Sequence, residues 1–397
     1  MTKSYPQIRL KKGKERSLLQ RHPWVFSGAI ATEPEGLKEG EIVHVVSSEG
    51  DFLALGHFHK GNITVRCFHF EEVPADDSLF REKIRAAYAL RELLGFPNER
   101  TDCFRLIHGE GDGFPGLVAD VYGNTVVLQA YTAGMFALLP SLAELLPQEL
   151  PFIHHVYNKS KETLGKHGIV ALEDGFLKNA SETNTGILHV RENEMELEVD
   201  IIRGQKTGFF LDQRDNRSLL RHYSMGKSVL NTFCYTGGFT IAALAGGARL
   251  VHSVDSSARA MEALEKNVSI AGGHDRHEGF TSDVMRYMKA CTESYDIVVL
   301  DPPAYAKHLS QVGQAMIGYR NLNTEGFKHV SKGGLLFTFS CSQAVDSELF
   351  RKLVFQSALQ AGRNARILHR LSQPPDHPVS IYHPEAEYLK GLVLVVD

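Results

Sequence analysis

The stretch Val229-Leu-Asn-Thr-Phe-Cys-Tyr-Thr-Gly-Gly-Phe-Thr240 decides the fold of this chain. Its apolar first part predicts a buried strand, Gly237-Gly238 predicts a tight turn, and the segment that follows has helical composition. A strand that turns on glycine into a helix is typical of a nucleotide-sized site. Glycine lets the backbone approach a ligand, and the helix N-terminus offers free N–H groups.

The glycine turn indicates the kind of ligand by what it lacks. There is no Gly-x-Gly-x-x-Gly pattern and no Gly-Lys-Ser/Thr, so no phosphate group is expected at the turn. Two carboxylates follow the next apolar runs, and the first of them suits a ribose diol. The pattern favours an adenosine cofactor without phosphates, S-adenosylmethionine (SAM); the alternative is a structural βαβ unit with solvated acids. The predicted cofactor-binding residues here are Phe233, Tyr235, Thr236, Gly237, Gly238, Asp255 and Asp283.

Composition bounds the class of protein. The chain has 397 residues, of which 43% are hydrophobic and 23% charged, which is typical of a globular protein with two or three domains. Five cysteines without a C-x-x-C pair argue against a disulfide framework or a zinc site and favour a reducing, cytoplasmic location. Neither a membrane-spanning run nor a signal peptide is recognisable. The sequence therefore predicts no metal and no membrane partner.

Basic residues are concentrated near the start, although the net charge of the chain is -4. Short alternating segments up to about residue 70 predict a small β-barrel. Basic side chains beside an exposed aromatic on such a barrel favour RNA binding, and the alternative is a solvated arm next to a core tryptophan. The predicted RNA-binding residues of this region are Lys11, Lys12, Arg16, Arg21 and Trp24.

Three domains are predicted, at residues 1–73, 74–188 and 189–397. The middle domain shows an α/β pattern without a catalytic constellation. The last domain opens with a β-hairpin that leads into the polar block Gly204–Arg217. In that block, Lys206, Gln213 and Arg214 are candidates to hold a cofactor carboxylate or an RNA phosphate. The alternative is a cluster of caps and salt bridges at a helix start.

Candidate catalytic groups follow two later apolar runs. Asp301-Pro302-Pro303-Ala-Tyr305 follows one, and Cys341 follows the other. At the tips of neighbouring strands, Asp301 and Tyr305 would hold a base of the RNA, with Pro302 and Pro303 as further RNA contacts, and Asp301 is also a candidate cofactor contact. Cys341 would attack C6 of a pyrimidine and activate C5 for methylation. The alternative for Cys341 is a small buried hydrophobe, with Cys234 as the second candidate thiol.

The last domain predicts a seven-stranded, mostly parallel sheet. Apolar runs begin near 228, 249, 278, 296, 334, 365 and 391. A Pro-rich loop rather than a helix joins the last two, which predicts an antiparallel final strand.

The chain resembles the RlmI-type 23S rRNA 5-methylcytosine methyltransferases over nearly its whole length. The motifs that carry the resemblance are Arg21-His-Pro-Trp-Val-Phe-Ser-Gly28, Gly111-Asp-Gly-Phe-Pro-Gly116, Gln205-Lys-Thr-Gly-Phe-Phe-Leu-Asp-Gln-Arg214, Asn231-Thr-Phe-Cys-Tyr-Thr-Gly-Gly238, Asp301-Pro-Pro303 and Ser340-Cys-Ser342.

That resemblance implies an N-terminal PUA domain, a middle α/β domain and a Rossmann-like class I methyltransferase domain. It also implies SAM as cofactor, Cys341 as nucleophile and 23S rRNA of the large subunit as partner, and it leaves a homodimer open. Many RNA cytosine-C5 enzymes carry a second cysteine after the proline, where this chain has Pro303 and Ala304. Product release must therefore differ, and the base that removes the C5 proton is not visible.

Three alternatives remain open from the sequence. Uracil C5 could be the target instead of cytosine. Asp301-Pro-Pro-Ala-Tyr305 is near the motif by which amino-directed N-methyltransferases hold an exocyclic amine, although it is offset by one residue. The third alternative is a non-catalytic RNA-binding factor that keeps the fold.

Overall fold

The computed structural model describes residues 5–165, 173–179, 185–305 and 311–397. Its contacts divide the chain into two compact units. The first comprises Met1–Val190, Val199–Phe209 and Pro375–Ala386, and the second comprises Arg191–Glu198, Phe210–Pro374 and Glu387–Asp397. The three-part division at 1–73, 74–188 and 189–397 stays a prediction.

A six-stranded sheet begins the first unit, in the order β2-β6-β5-β4-β1-β3. Buried apolar residues of its strands pack into one cluster around Ile8, Val43 and Val65. Its elements are β1 (Gln7–Leu10), α1 (Arg16–Leu19), β2 (Trp24–Phe26), β3 (Ile30–Thr32), β4 (Ile42–Val46), β5 (Phe52–Phe58) and β6 (Ile63–His69).

A five-stranded sheet follows in the same unit, in the order β11-β10-β9-β8-β7. Its only parallel pair among the described residues is β9 with β10. The elements are α2 (Asp77–Leu93), β7 (Cys103–His108), β8 (Leu117–Tyr122), β9 (Thr125–Ala130), α3 (Ala133–Glu149), β10 (His155–Asn158), α4 (Lys161–Gly165) and β11 (Gly175–Lys178). Two further strands, β12 (Ile187–Glu192) and β13 (Met195–Asp200), form a two-stranded sheet at the predicted hairpin.

The second unit alternates strands and helices along the chain. Its elements are α5 (Arg214–Tyr223), β14 (Ser228–Thr232), α6 (Gly238–Ala245), β15 (Leu250–Asp255), α7 (Ala258–Ile270), β16 (His277–Thr281), α8 (Val284–Ala290), β17 (Tyr295–Leu300), α9 (Val312–His329), β18 (Val330–Ser340), α10 (Ser347–Gln360), β19 (Ala365–Leu371) and β20 (Lys390–Val396).

Seven of these strands form one sheet in the order β16-β15-β14-β17-β18-β20-β19. The first five are parallel, whereas β20 is antiparallel to both of its neighbours, which confirms the predicted antiparallel final strand. Thr232 pairs with Leu300, and Leu300 pairs with Thr338. This register brings the carboxyl ends of β14, β17 and β18 to one edge of the sheet, where ligands bind in open α/β folds.

The burial of the central strands explains why each of them appears in the sequence as a separate, mostly apolar run. All five residues of β14 are buried, and so are five of the six residues of β17. Parallel strands covered on both faces need continuous apolar sequence, so their positions are legible without any alternation. Among the described residues, no helix is both long and apolar enough to cross a membrane.

Candidate active site

The backbone after β14 turns sharply at the predicted cofactor loop. Phe233 and Tyr235 have φ angles of 54° and 48°, and Gly237 has a φ of 89°. Left-handed backbone is unusual for aromatic residues and costs free energy that the surrounding structure must offset. A Cβ at Gly237 would approach Leu264 Cγ to 3.0 Å. The backbone after β14 therefore adopts a defined turn that leaves little room for a side chain at Gly237.

Asp255, at the end of β15, is tied to this turn. The backbone N–H of Tyr235 donates to Asp255 Oδ2 at 3.0 Å, and the N–H of Ser257 donates to Oδ1 at 2.9 Å. Each carboxylate oxygen keeps a lone pair for a further donor, as a ribose hydroxyl would be. Glycine turn and carboxylate lie on neighbouring parallel strands and fit the adenosine part of a cofactor.

Asp283 has a structural role that its sequence position did not reveal. It is exposed and caps α8, because its Oδ1 accepts the N–H of Arg286 at 2.8 Å. A cap leaves the second carboxylate oxygen available, so the predicted contact with the cofactor stays a prediction.

Asp301 follows β17 and is held by Gln213, a second predicted cofactor residue. Gln213 Nε2 donates to Asp301 Oδ1 at 3.0 Å, and Asn216 Nδ2 donates to Gln213 Oε1 at 2.6 Å. Burial, with a further contribution from the negative charge of Asp212, raises the pKa of Asp301 to about 7. Asp301 can therefore act as acid or base near neutral pH.

Cys341 follows β18 and faces the strand end that carries Asp301. Its thiol donates to the carbonyl oxygen of Pro302, with Sγ and O 3.9 Å apart. Burial, and then the charges of Asp301 and Asp212, raise the pKa of the Cys341 thiol to about 12. Cys341 and Asp301 thus follow neighbouring parallel strands, and the thiol contacts the residue next to Asp301.

The segment around Cys341 is held by hydrogen bonds on both sides. Ser340 Oγ donates to Tyr319 Oη at 3.0 Å, and Tyr319 Oη lies 2.8 Å from Ser342 Oγ. Tyr305 packs its ring on Tyr319, with centroids 4.7 Å apart. Tyr305 is half-buried, so part of its ring remains accessible for the predicted contact with a base. Of the two adjacent prolines that are also predicted to contact the RNA, Pro302 is buried and Pro303 is exposed. These roles stay predictions.

Two residues of this site were missed from the sequence. Lys390, buried at the start of β20, donates from Nζ to Ser342 O at 2.7 Å. Burial lowers the pKa of Lys390 to about 8, while the nearby thiol of Cys341 opposes that shift. Asp212 accepts a hydrogen bond from Tyr388 Oη at 2.6 Å. Asp212 could have been found from its position inside the polar block Gly204–Arg217. The sequence around Lys390 gives no such indication, because Lys390 is brought to the site by the pairing of β20 with β18.

Two further candidates from the polar block, Arg214 and Lys206, differ in burial. Arg214 is 2% exposed, and its Nε lies 3.7 Å from Asp215 Oδ1. Arg214 is thus buried at the start of α5, and its role in holding a cofactor carboxylate or an RNA phosphate stays a prediction. Lys206 is exposed and belongs to the first unit, so its binding role stays a prediction.

The first unit corrects one expectation for RNA binding. Trp24 is half-buried, not exposed, because Arg66 lies over its ring at 5.0 Å and its Nε1 donates to Glu110 Oε1 at 2.8 Å. Phe26, at 47% exposure, is the more accessible aromatic of β2. The basic side chains Lys11, Lys12, Arg16 and Arg21 are exposed.

Three side chains of the first unit could be taken for metal ligands. The nitrogen and oxygen atoms of His22, His383 and Glu385 lie within 4.8 Å of one another. The N–H of Trp24 donates to His22 Nδ1, so the proton of a neutral His22 ring is on Nε2, which faces Glu385 Oε1 at 3.4 Å. A metal would need that nitrogen without its proton. These are the contacts of a hydrogen-bonded pair, and we propose no metal there.

We expect Asp301→Asn to stabilise the protein at pH 8 and to leave it unchanged at pH 4. Because the pKa of Asp301 is raised in the folded state, the folded protein keeps a proton that the unfolded chain loses between about pH 4 and 7. Stability therefore falls as pH rises through this window, and Asn removes that loss while still accepting from Gln213. The expected gain at pH 8 is about 3 °C in Tm, measured by calorimetry.

Asp296→Asn, on the same strand, is the control of opposite sign. Although burial opposes it, hydrogen bonds from Ser228 lower the pKa of Asp296, so its amide variant should be less stable at pH 8. An Asp301→Asn protein that loses stability at pH 8 would contradict the assignment of a raised pKa.

Comparisons with known proteins agree with this architecture. Residues 174–394 match the family model of the S-adenosylmethionine-dependent methyltransferases, and residues 8–70 match the PUA-like domain. Ribosomal RNA large subunit methyltransferase I of Klebsiella pneumoniae is 37% identical over 397 residues, which cover 98% of this chain and 97% of the relative. The protein of the same name from Alteromonas mediterranea is 37% identical over 404 residues, covering 98% of each chain.

Solved structures show the same fold. A candidate SAM-dependent methyltransferase from Streptococcus mutans superposes with a TM-score of 0.82 at 22% identity, over 98% of this chain and 99% of the other. A methyltransferase structure in complex with SAH superposes with a TM-score of 0.83 at 22% identity and the same coverage. The fold and the matches define a SAM-dependent methyltransferase with an N-terminal PUA-like domain. Within that class, the chain belongs to the ribosomal RNA large subunit methyltransferase I family.

Proposed function

We propose that this protein transfers a methyl group from SAM to C5 of a pyrimidine, cytosine in 23S rRNA of the large ribosomal subunit. The relatives named above support the RNA substrate. The observation that carries the choice of atom is the thiol of Cys341, which contacts the Pro302 carbonyl directly beside Asp301. Methylation at C5 needs a nucleophile at C6, and a thiol is suited to that role.

The cofactor-binding part of the site is made by the residues that follow β14 and β15. The turn at Tyr235 and Gly237 and the carboxylate of Asp255 fit the adenosine moiety. We propose Phe233, Thr236, Gly238 and Asp283 as further cofactor contacts. When bound, SAM supplies an electrophilic methyl group. The chain's own residues must then place a pyrimidine between this group and Cys341.

In the proposed mechanism, the sulfur of Cys341 adds to C6 of the base and makes C5 nucleophilic. The raised pKa of the thiol means that it is protonated in the free enzyme. Asp301, with a pKa of about 7, is partly ionised at neutral pH and is able to take that proton or to accept a base N–H. The positive charge of the Lys390 ammonium partly offsets the rise in the pKa of Cys341, and it stabilises the thiolate once the proton has left.

For RNA binding, we propose the exposed basic side chains of the first unit. Arg21 lines an open cleft of about 580 Å³, together with His22 and the exposed apolar and aromatic side chains Leu19, Ile381 and Tyr382. Charged donors would contact phosphates, and the apolar and aromatic surface would contact unstacked bases. Lys11 Nζ donates to Gly28 O at 3.0 Å, which leaves two further N–H donors for a phosphate.

The test is methyl transfer from tritiated SAM to protein-free 23S rRNA, followed by nucleoside analysis of the product. We expect 5-methylcytosine. Recovery of 5-methyluridine would keep the mechanism and change the base, whereas an N-methylated purine would overturn it. RNA that already carries tritium at C5 of cytosine provides the control, because methylation at C5 must release that label and methylation elsewhere cannot.

A further inference from the structure

Methylation at C5 through a thiol adduct leaves one chemical requirement that the thiol and SAM do not meet. After the methyl group has been transferred, C5 carries both the methyl group and its original hydrogen. The adduct breaks down only when a base removes that proton. Pro303 and Ala304 stand where other enzymes have a second cysteine, so this chain needs a different group near Cys341.

Two charged groups near the thiol are poorly suited to this step. Lys390 uses Nζ to donate to Ser342 O at 2.7 Å, and a protonated amine cannot accept a proton. Asp301 Oδ1 already accepts from Gln213 Nε2, and its raised pKa keeps it partly protonated at neutral pH.

Asp212 differs from both in how its carboxylate is held. It lies in a short 3-10 helix, Leu211–Gln213, directly before the residue that holds Asp301. Oδ2 accepts from Tyr388 Oη at 2.6 Å, which fixes the orientation of the group. Oδ1 is buried, and in the part of the chain that the structure describes it has no hydrogen-bond partner.

A buried carboxylate oxygen without a donor is costly, since buried polar atoms are nearly always paired. Asp212 directly precedes Gln213, whose amide holds Asp301. Its negative charge also raises the pKa of both Asp301 and Cys341. The orphaned oxygen is thus a strong acceptor at the place where the chemistry requires one.

We propose that Asp212 is the base that removes the C5 proton and releases the methylated product. The proton moves from C5 to Asp212 Oδ1, the electron pair of the C5–H bond re-forms the C5=C6 double bond, and the C6–S bond breaks with its pair on Cys341 Sγ. Tyr388 positions the carboxylate. This inference rests on the proposed function, because only an adduct at C6 creates the need for such a base.

The experiment uses the full-length Asp212→Asn protein with SAM and 23S rRNA that carries tritium at C5 of cytosine. Asn keeps the size of the side chain and its contact with Tyr388 but cannot accept the proton. We expect a covalent protein–RNA complex that already carries the methyl group to accumulate on denaturing gels. Release of the C5 tritium should slow by about 100-fold or more.

Asp215→Asn is the matched control, since Asp215 is 56% exposed and only three residues away; it should behave as wild type. Tyr388→Phe keeps the carboxylate and removes only the donor to Oδ2, so we expect a smaller accumulation of the same complex. This second variant keeps the test decisive if Asp212→Asn folds poorly.

The outcomes separate this inference from the proposed function. If Asp212→Asn and Tyr388→Phe both release tritium and product at the wild-type rate while Cys341→Ala is inactive, the function stands and Asp212 is not the base. The same conclusion follows if Asp212→Asn is folded and inactive without any complex, because Asp212 then acts before methyl transfer. If Cys341→Ala still yields product, the proposed function fails and this inference fails with it.

Discussion

Replacing Cys341 by alanine is expected to reduce methyl transfer by more than about 10³-fold, because the variant lacks the sulfur that must bond to C6 of the base. The side chain is small, and its thiol donates a long hydrogen bond to the Pro302 carbonyl. Its neighbours Ser340 and Ser342 remain bonded to Tyr319. We therefore expect the fold to survive. The measurement is single-turnover transfer of a tritiated methyl group to 23S rRNA, with SAM binding checked by calorimetry.

Cys291→Ala is the control for the Cys341 variant. It also removes a half-buried thiol of the second unit, but one that contacts Tyr295 Oη, at the opposite end of β17 from Asp301. We expect it to keep wild-type activity. A Cys341→Ala protein that still methylates would make Cys341 a core residue. An N-methyl product would then point to the Pro302 carbonyl as the acceptor for an exocyclic amine.

Replacing Arg217 by methionine is expected to destabilise the protein by about 3–5 kcal/mol, because the change leaves a buried carboxylate without its partner. Arg217 donates from Nε and Nη2 to the two oxygens of Glu192, both at 2.6 Å, and from Nη1 to Phe210 O at 2.9 Å. The side chains are 3% and 0% exposed. The expected fall in Tm of the second unit is about 10 °C, measured by differential scanning calorimetry.

Two controls accompany the Arg217 variant. The double change Arg217→Met with Glu192→Met removes both charges, so we expect it to recover most of the lost stability. Arg351→Met breaks an exposed pair with Glu348, 39% and 61% exposed, and should cost no more than about 1 kcal/mol. Equal losses from the buried and the exposed variants would show that burial of Glu192 is not what makes Arg217 important.

The sequence was most informative about the second unit, where structure is local and buried. The run Ile297–Leu300 is apolar along its length because parallel strands are covered on both sides. The glycine turn was legible because a positive φ at Gly237 restricts the choice of residue. The placement of Asp301 and Cys341 at one edge of the sheet followed from the rule that parallel strands end there.

The errors and omissions arose where a side chain's surroundings come from distant parts of the chain. Trp24 was expected to be exposed, and Arg66 and Glu110 cover it. The sequence also did not show that tertiary packing buries Arg214 at the start of α5, where its predicted binding role remains untested. Nothing within a short window of sequence records such coverage.

By itself, the sequence determined the order of strands and helices, the glycine turn, the acids at the strand ends and the position of Cys341. It could do so because backbone conformation and burial restrict the choice of residues within short segments of the chain. Only the tertiary structure decided which groups surround the thiol. Lys390 reaches Ser342 O through the antiparallel pairing of β20 with β18, and Asp212 is oriented by Tyr388, 176 positions away along the chain. Protonation and reactivity depend on such contacts through burial and charge, which no local pattern encodes.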